Sequence, residues 1–382
     1  MRHLNLDLQA DRIEAVLATH RAPVRVLGGV VTPRLIRFHL APSPGVRVRR
    51  LLGLSEEVAL ALDVPGCRIA RENGSLALEV PRADPAPVRL LALCARLAHI
   101  PACAALIGID QQGVPLLLAL ASPDVAHVLI AGSTGSGKTV LTRCIVASLA
   151  IHNHLGEVQF ILLDPKGRGF APFAGLPHLL CPVLSDPQDI RCRLAWLVQE
   201  LERRDREGIT APRLILVIDE LAEVIATAGS ETIEWLTRLT QRGREAGIHV
   251  IASTQKPTCS LLGSLMKANF PVRLVGSVPS ADDARVAAGL AGTQAERLLG
   301  RGDFILVVRG QCCRFQAAYV GPDDLRTVVA QLREGRHISR RWLPPAREQP
   351  RLPLARMGER WRLELSHRAP FQREAKPETG VA

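Results

Sequence analysis

Gly132-Ser133-Thr134-Gly135-Ser136-Gly137-Lys138-Thr139 follows the apolar run His127-Val128-Leu129-Ile130-Ala131, and Val140-Leu141-Thr142-Arg143-Cys144-Ile145-Val146 continues it with helical character. A buried strand that breaks into glycines and re-forms as a helix is the context of a P-loop. Gly132 to Gly137 let backbone N–H groups close around the phosphates of ATP or GTP. Lys138 supplies a compact positive charge to the β- and γ-phosphates, and Thr139 supplies an oxygen for Mg²⁺. The expected ligands are therefore ATP or GTP, together with Mg²⁺.

A phosphate-hydrolysing site also needs carboxylates, to hold the metal ion and to activate water. About 80 residues downstream, Arg213-Leu214-Ile215-Leu216-Val217-Ile218 ends in Asp219-Glu220. Asp219 is expected to orient Mg²⁺ and Glu220 to polarise the attacking water. Such a pair also favours a helix start, where carboxylates meet the positive end of the dipole. Strand His249-Val250-Ile251-Ala252-Ser253-Thr254 ends in Gln255, whose amide could touch the γ-phosphate.

From residue 106 to 322 strands alternate with helices, which predicts a mostly parallel α/β sheet. Its strands are read as Val128–Ala131, Phe160–Leu163, Leu214–Ile218, His249–Ala252, Arg273–Val275, Phe304–Val308 and Phe315–Tyr319. Residues 1–22 hold a short amphipathic helix or arm. Residues 23–95 form a small α+β unit: strand Arg34–Leu40, helix Leu51–Leu62, and short strands at Cys67–Ala70 and Leu76–Val80 around an Asn73-Gly74 turn. Residues 323–382 give one helix and a basic, proline-containing tail.

The 382 residues are 47% hydrophobic and 22% charged, ordinary for a globular α/β chain. The nine cysteines show no Cys-x-x-Cys spacing and read as thiols of a reducing, cytoplasmic compartment. No apolar run reaches the roughly 18 residues a membrane span needs. Net charge is +11, of which residues 333–382 carry +6 (12 Lys/Arg against 6 Asp/Glu). That tail, with Pro344, Pro345, Pro350, Pro353 and Pro370, could meet a phosphate backbone, an acidic surface, or a membrane or transfer-machinery partner; it could equally serve solubility alone. Of 48 basic residues only five are lysines, and Lys138, Lys166, Lys256 and Lys267 all lie at strand ends or loops of the core. Lysines kept in an arginine-rich chain mark places that suit a compact ammonium.

Longer segments carry a resemblance. Glu234-Trp235-Leu236 through Gln241-Arg242-Gly243-Arg244-Glu245-Ala246-Gly247-Ile248-His249, Ala252-Ser253-Thr254-Gln255-Lys256-Pro257, Leu265–Arg273, and Leu298-Leu299-Gly300-Arg301-Gly302-Asp303 closely resemble the motor of the FtsK/SpoIIIE DNA translocases. Leu163-Asp164-Pro165-Lys166 and Gly175–Leu180 fit the same pattern, and Gly28–Leu40, Pro44–Val48 and Glu57–Leu62 look like that family's alpha subdomain. The resemblance implies a RecA-like ATPase core in a homo-hexameric ring, with ATP at subunit interfaces and double-stranded DNA in the channel. It makes Arg244 an arginine finger for a neighbour's nucleotide, and Lys256 and Lys267 DNA-phosphate contacts. Ala281 stands where the family often has a lysine, and Gly167-Arg168-Gly169-Phe170 replaces an acidic-apolar continuation. No membrane domain or winged-helix reader is recognisable in the sequence. Two other readings stay open: a protein-export ATPase of the type VII secretion class, and a DNA-bound assembly factor that does not translocate.

Overall fold

The structure, a computed structural model, describes residues 2–335 except 33, 73–74, 98, 230 and 256–268. The Asn73-Gly74 turn, Lys256, Lys267 and the tail beyond 335 lie outside the described residues.

The N-terminal unit is a four-stranded antiparallel sheet of β1 (Val24–Val31), β2 (Leu35–Pro42), β3 (Arg68–Glu72) and β4 (Ser75–Pro81), in the order β1-β2-β4-β3. Helix α1 (Arg2–Thr19) is longer than the sequence suggested, and its Ile13 and Leu17 are fully buried in one cluster with Phe38, Leu78 and Val80. The segment 1–22 is thus packed onto this sheet rather than standing apart as an arm. The single helix expected over Leu51–Leu62 is two, α2 (Val48–Leu52) and α3 (Ser55–Leu62). Gly53 interrupts it, being a poor helix residue, and Ser55-Glu56-Glu57 restarts it with acids at the positive helix end.

Helix α4 (Leu90–Arg96) leads into the larger unit. A nine-stranded sheet runs through that unit in the order β8-β9-β10-β7-β11-β12-β13-β5-β6. These are β5 (Ala104–Asp110), β6 (Pro115–Ala119), β7 (Val128–Ala131), β8 (Val158–Leu163), β9 (Arg213–Ile218), β10 (Ile248–Thr254), β11 (Val272–Val275), β12 (Asp303–Val308) and β13 (Gln311–Ala317). The first five in that order pair in parallel. The remaining pairings are antiparallel. The expectation of a mostly parallel sheet is therefore corrected to a mixed one. Two features turn the chain back. Arg309 and Gly310, both at positive φ, join β12 to β13 as a two-residue hairpin. The hairpin β5–β6 adds two strands that the apolar stretch before the P-loop concealed. The last strand ends at Ala317, not Tyr319.

Both faces of the parallel half are covered, so its strands are apolar throughout. Along β9, Ile215 and Val217 join the cluster built with helix α5 (Lys138–His152), while Leu214, Leu216 and Ile218 join the cluster on the other face. That second layer is α6 (Pro187–Glu207), α7 (Leu221–Thr227) and α8 (Glu231–Arg242). Helix α5 is buried nearly all round, from Leu141 to Ile151. The helix expected at 323–334 runs Pro322–Arg333. Among the described residues no helix is long and apolar enough to cross a membrane, and no cluster of His, Cys, Asp and Glu suits a metal ion held by three or more of them.

Candidate nucleotide site

Parallel strands end along one edge, and four of them deliver the candidate groups there. The registers Leu163↔Ile218, Ile218↔Ala252 and Thr254↔Ala131 align the ends of β8, β9, β10 and β7. The residues that follow are Asp164, Asp219-Glu220, Gln255 and the P-loop.

The P-loop is held from behind. Arg301 N–H donates to the Gly135 carbonyl (3.0 Å) and Gly302 N–H to the Ser136 carbonyl (2.8 Å). Gly137 has φ +104°, and a side chain there would put its Cβ 2.9 Å from Gly302 N, so both backbone shape and space require glycine. Helix α5 starts at the next residue. The Lys138 ammonium, 6% exposed, donates to the carbonyls of Gly132 (2.7 Å) and Ser133 (3.0 Å). Burial lowers its pKa, and the nearby Glu220 and Asp219 act against that.

Thr139 Oγ1 donates to Asp219 Oδ1 at 3.1 Å. Burial foremost raises the Asp219 pKa; Asp164 and Glu220 add to it, while the Thr139 hydroxyl and Arg143 oppose it. Asp164 is fully buried; its Oδ2 accepts from Phe170 N–H (2.9 Å), and its Oδ1 has no partner among the described residues. Crowded, desolvated carboxylates beside a threonine hydroxyl, with one buried oxygen unsatisfied, form a hard all-oxygen set that suits Mg²⁺. Close approach of the Gly169 backbone to Asp219 completes the wall: a Cβ on Gly169 would lie 2.7 Å from Asp219 Oδ2. Arg143 fixes that loop through the carbonyls of Gly169 (2.5 Å) and Arg168 (2.9 Å).

Glu220, 7% exposed, stands at the N-cap position of α7 without a side-chain bond to that helix, and is oriented from β10. It accepts from Thr254 Oγ1 at 3.0 Å and from Gln255 N–H at 3.2 Å to each oxygen. The Gln255 side chain in turn accepts from Thr134 Oγ1 at 2.8 Å. Gln255 thus ties the acid on β9 to the P-loop, and it immediately precedes residues 256–268.

Sequence-derived candidates Gly132 to Thr139, Asp219, Glu220 and Gln255 therefore share one site. Arg244 does not. It sits in the turn between α8 and β10, exposed, at the opposite edge of the sheet. The seven residues of β10 put about 20 Å between the two edges. Asp164 joins the site as a residue beyond the expected set; its sequence signal is an acid directly after an apolar strand, as for Asp219. Lys166, exposed, pairs with Glu223 at 3.1 Å.

A model of the FtsK/SpoIIIE family matches residues 98–210 and 205–259, and a model of the FtsK alpha domain matches residues 1–82. The DNA translocases SftA and SpoIIIE of Bacillus subtilis (strain 168) are each 32% identical, over 86% and 85% of this chain respectively. The chain spans 37% and 45% of their lengths, less than half of either. Among solved structures, the cytoplasmic domain of the Thermomonospora curvata type VII secretion ATPase EccC superposes with a TM-score of 0.56 at 25% identity, over 65% of this chain and 34% of that one. The pCW3 conjugation coupling protein TcpA, solved with ATPgS, superposes with a TM-score of 0.58 at 18% identity, over 85% of this chain and 99% of that one, a likeness of fold. With its P-loop ATPase core and its alpha domain, the chain belongs to the FtsK/SpoIIIE family.

Proposed function

We propose that this chain is the motor part of an ATP-driven translocase of double-stranded DNA, working as a homo-hexameric ring. Residues 23–95, with α1 packed on them, would be the alpha subdomain and residues 106–322 the motor. The observation that carries the ring is the separation of Arg244 from the P-loop edge. An arginine about 20 Å from its own nucleotide site can stabilise transferring phosphate only in a neighbouring subunit. Relatives named as DNA translocases support DNA as the substrate.

In this reading Lys138 and the P-loop amides bind the β- and γ-phosphates, and Thr139 and Asp219 hold Mg²⁺. When bound, Mg²⁺ would neutralise charge on the phosphates during transfer. Glu220, aimed by Thr254 and the Gln255 amide, takes the proton of the attacking water. Gln255 bonds both to Glu220 and to Thr134, so a change at the phosphates shifts the entry to residues 256–268. Lys256 and Lys267, in that segment, would grip DNA phosphates without regard to sequence.

A protein-export role draws support from the likeness to EccC. The alpha-domain match over residues 1–82 favours DNA. Steady-state ATP hydrolysis, measured with and without long linear duplex beside Lys138→Ala and Glu220→Gln, tests the choice. Strong stimulation by duplex and weak stimulation by single strands is the expected result. Turnover indifferent to DNA would overturn DNA translocation in favour of export, and DNA stimulation without movement along DNA would favour the assembly factor.

A further inference from the structure

We propose that the nucleoside end of the bound nucleotide lies in the seam between the two units, where Arg34 of the N-terminal unit binds it within the same chain. This rests on the P-loop reading above and adds a contact from a unit that motif reasoning leaves out of the site.

A cavity of about 570 Å³ is lined jointly by Thr134, Lys138 and Thr139 of the P-loop and by Arg34, Pro87 and Tyr319. Its P-loop end accounts for the phosphates. Its lining also includes Pro85 and Pro87 of the linker joining the units, which carry no N–H and offer packing surface. This is the chemistry of a base-binding wall, apolar with a few placed polar groups.

Arg34 is the placed group. Its Nη1 donates to the carbonyls of Gly300 (3.0 Å) and Arg301 (2.8 Å) and to Gln316 Oε1 (3.3 Å). These bonds fix the guanidinium plane at the cavity wall and leave its other N–H groups without a protein acceptor among the described residues. The neighbouring carboxylates are already engaged. Asp303 takes Arg314 through both oxygens (2.9 and 2.7 Å) and accepts from Leu299 N–H (2.9 Å). Glu79 takes Arg314 (2.7 Å) and Gln111 (2.8 Å). Arg34 is half-buried without a direct ion pair among the described residues, and burial foremost works against its charge, with Asp303 offsetting and Arg301 and Arg314 adding to the penalty. A fixed planar cation with spare donors suits ribose oxygens and a base face. Nucleotide occupancy would then be felt directly by the alpha unit.

The test is equilibrium binding to the full chain, read by displacement of a fluorescent ATP analogue, with ATP and inorganic tripolyphosphate as competitors. Arg34→Ala should weaken ATP about tenfold, the scale of one hydrogen bond to a charged group. Tripolyphosphate, which has no nucleoside, should change less than twofold. Arg34→Gln, a polar replacement that keeps more of the side chain than alanine, should show the same selective loss and serves if the alanine variant does not fold. Equal weakening of both competitors would overturn the proposal, because Arg34 would then act by propping the P-loop. Unchanged ATP binding would overturn it as well. A wild-type chain that binds neither competitor would overturn the P-loop reading itself, and this proposal with it.

Discussion

The two halves of the nine-stranded sheet solve different problems. In the parallel half, β8-β9-β10-β7-β11, neighbouring strands all end at the same edge, so the residues after four strands converge without any side chain having to reach. In the antiparallel half, β12-β13-β5-β6, successive strands end at opposite edges and no edge collects function. That half contributes side chains along its strands instead. Arg314 on β13 joins Asp303 on β12 to Glu79 on β4 of the N-terminal unit, all three nearly buried. Asp303 also accepts from Leu299 N–H, steadying the loop whose Arg301 and Gly302 amides back the P-loop. One half makes the site by topology, and the other holds the second unit against it by ion pairing.

The largest effects should come from cutting each half at its centre. Lys138→Ala should lower ATP turnover by on the order of 10³-fold or more, with the melting temperature almost unmoved, because the ammonium bonds only to loop carbonyls. Arg314→Met should do the reverse. It leaves Glu79 and Asp303 buried without their cation, a loss of about 3–5 kcal/mol in urea denaturation. Neutralising the stranded acids by Glu79→Gln with Asp303→Asn in the Met background should recover much of that stability. If Arg314→Met cost no stability while Lys138→Ala cost several kcal/mol, the division of labour drawn here would be wrong.

Next in size is Glu220→Gln. The amide can still accept from Thr254 Oγ1 and Gln255 N–H, so nucleotide binding should persist, while turnover falls about 10²–10³-fold for want of a proton acceptor. Equal losses in binding and turnover would instead make Glu220 a structural tie to the end of β10.

These halves also differed in how much of them the sequence disclosed. Parallel strands are short apolar runs that end in chemistry, and Val128–Ala131 with its glycines, or Leu214–Ile218 with Asp219-Glu220, can be read locally. Asp164, directly after Val158–Leu163, carries the same local signal. Hairpin β5–β6 was hidden because Ala104–Asp110 is buried at every position and shows no alternation. Arg34 lies 266 residues from Gly300 and Glu79 lies 235 from Arg314, and nothing local in either stretch announces a partner. Composition was misleading there too, since an arginine-rich chain makes any one arginine look ordinary.

A smaller effect tests the far edge of the parallel half, where two histidines replace the carboxylates. His127, just before β7, accepts from Val250 N–H on Nδ1 (3.0 Å), while His249 on β10 bonds through Nδ1 to the Ala126 carbonyl (2.9 Å) and through Nε2 to Arg213 (3.2 Å). Burial foremost pushes His127 down to about 3, with His249 adding to it, and pushes His249 down to about 4. Both pKa values are depressed below the ordinary value near 6.5, so the unfolded chain binds more protons as the pH falls. Their stabilisation is complete above about 6.5 and is lost progressively toward 4 and then 3, at up to about 1.4 kcal/mol per pH unit for each ring. Urea midpoints at pH 7, 6 and 5 should therefore fall in the wild-type chain. His127→Gln, whose amide oxygen can still accept from Val250, should flatten the slope by one proton and leave ATP affinity unchanged, since this edge is a strand length from the P-loop. Parallel slopes in the two proteins would mean that His127 is not held neutral, and the apolar packing of β7 against β10 at that edge would need another account.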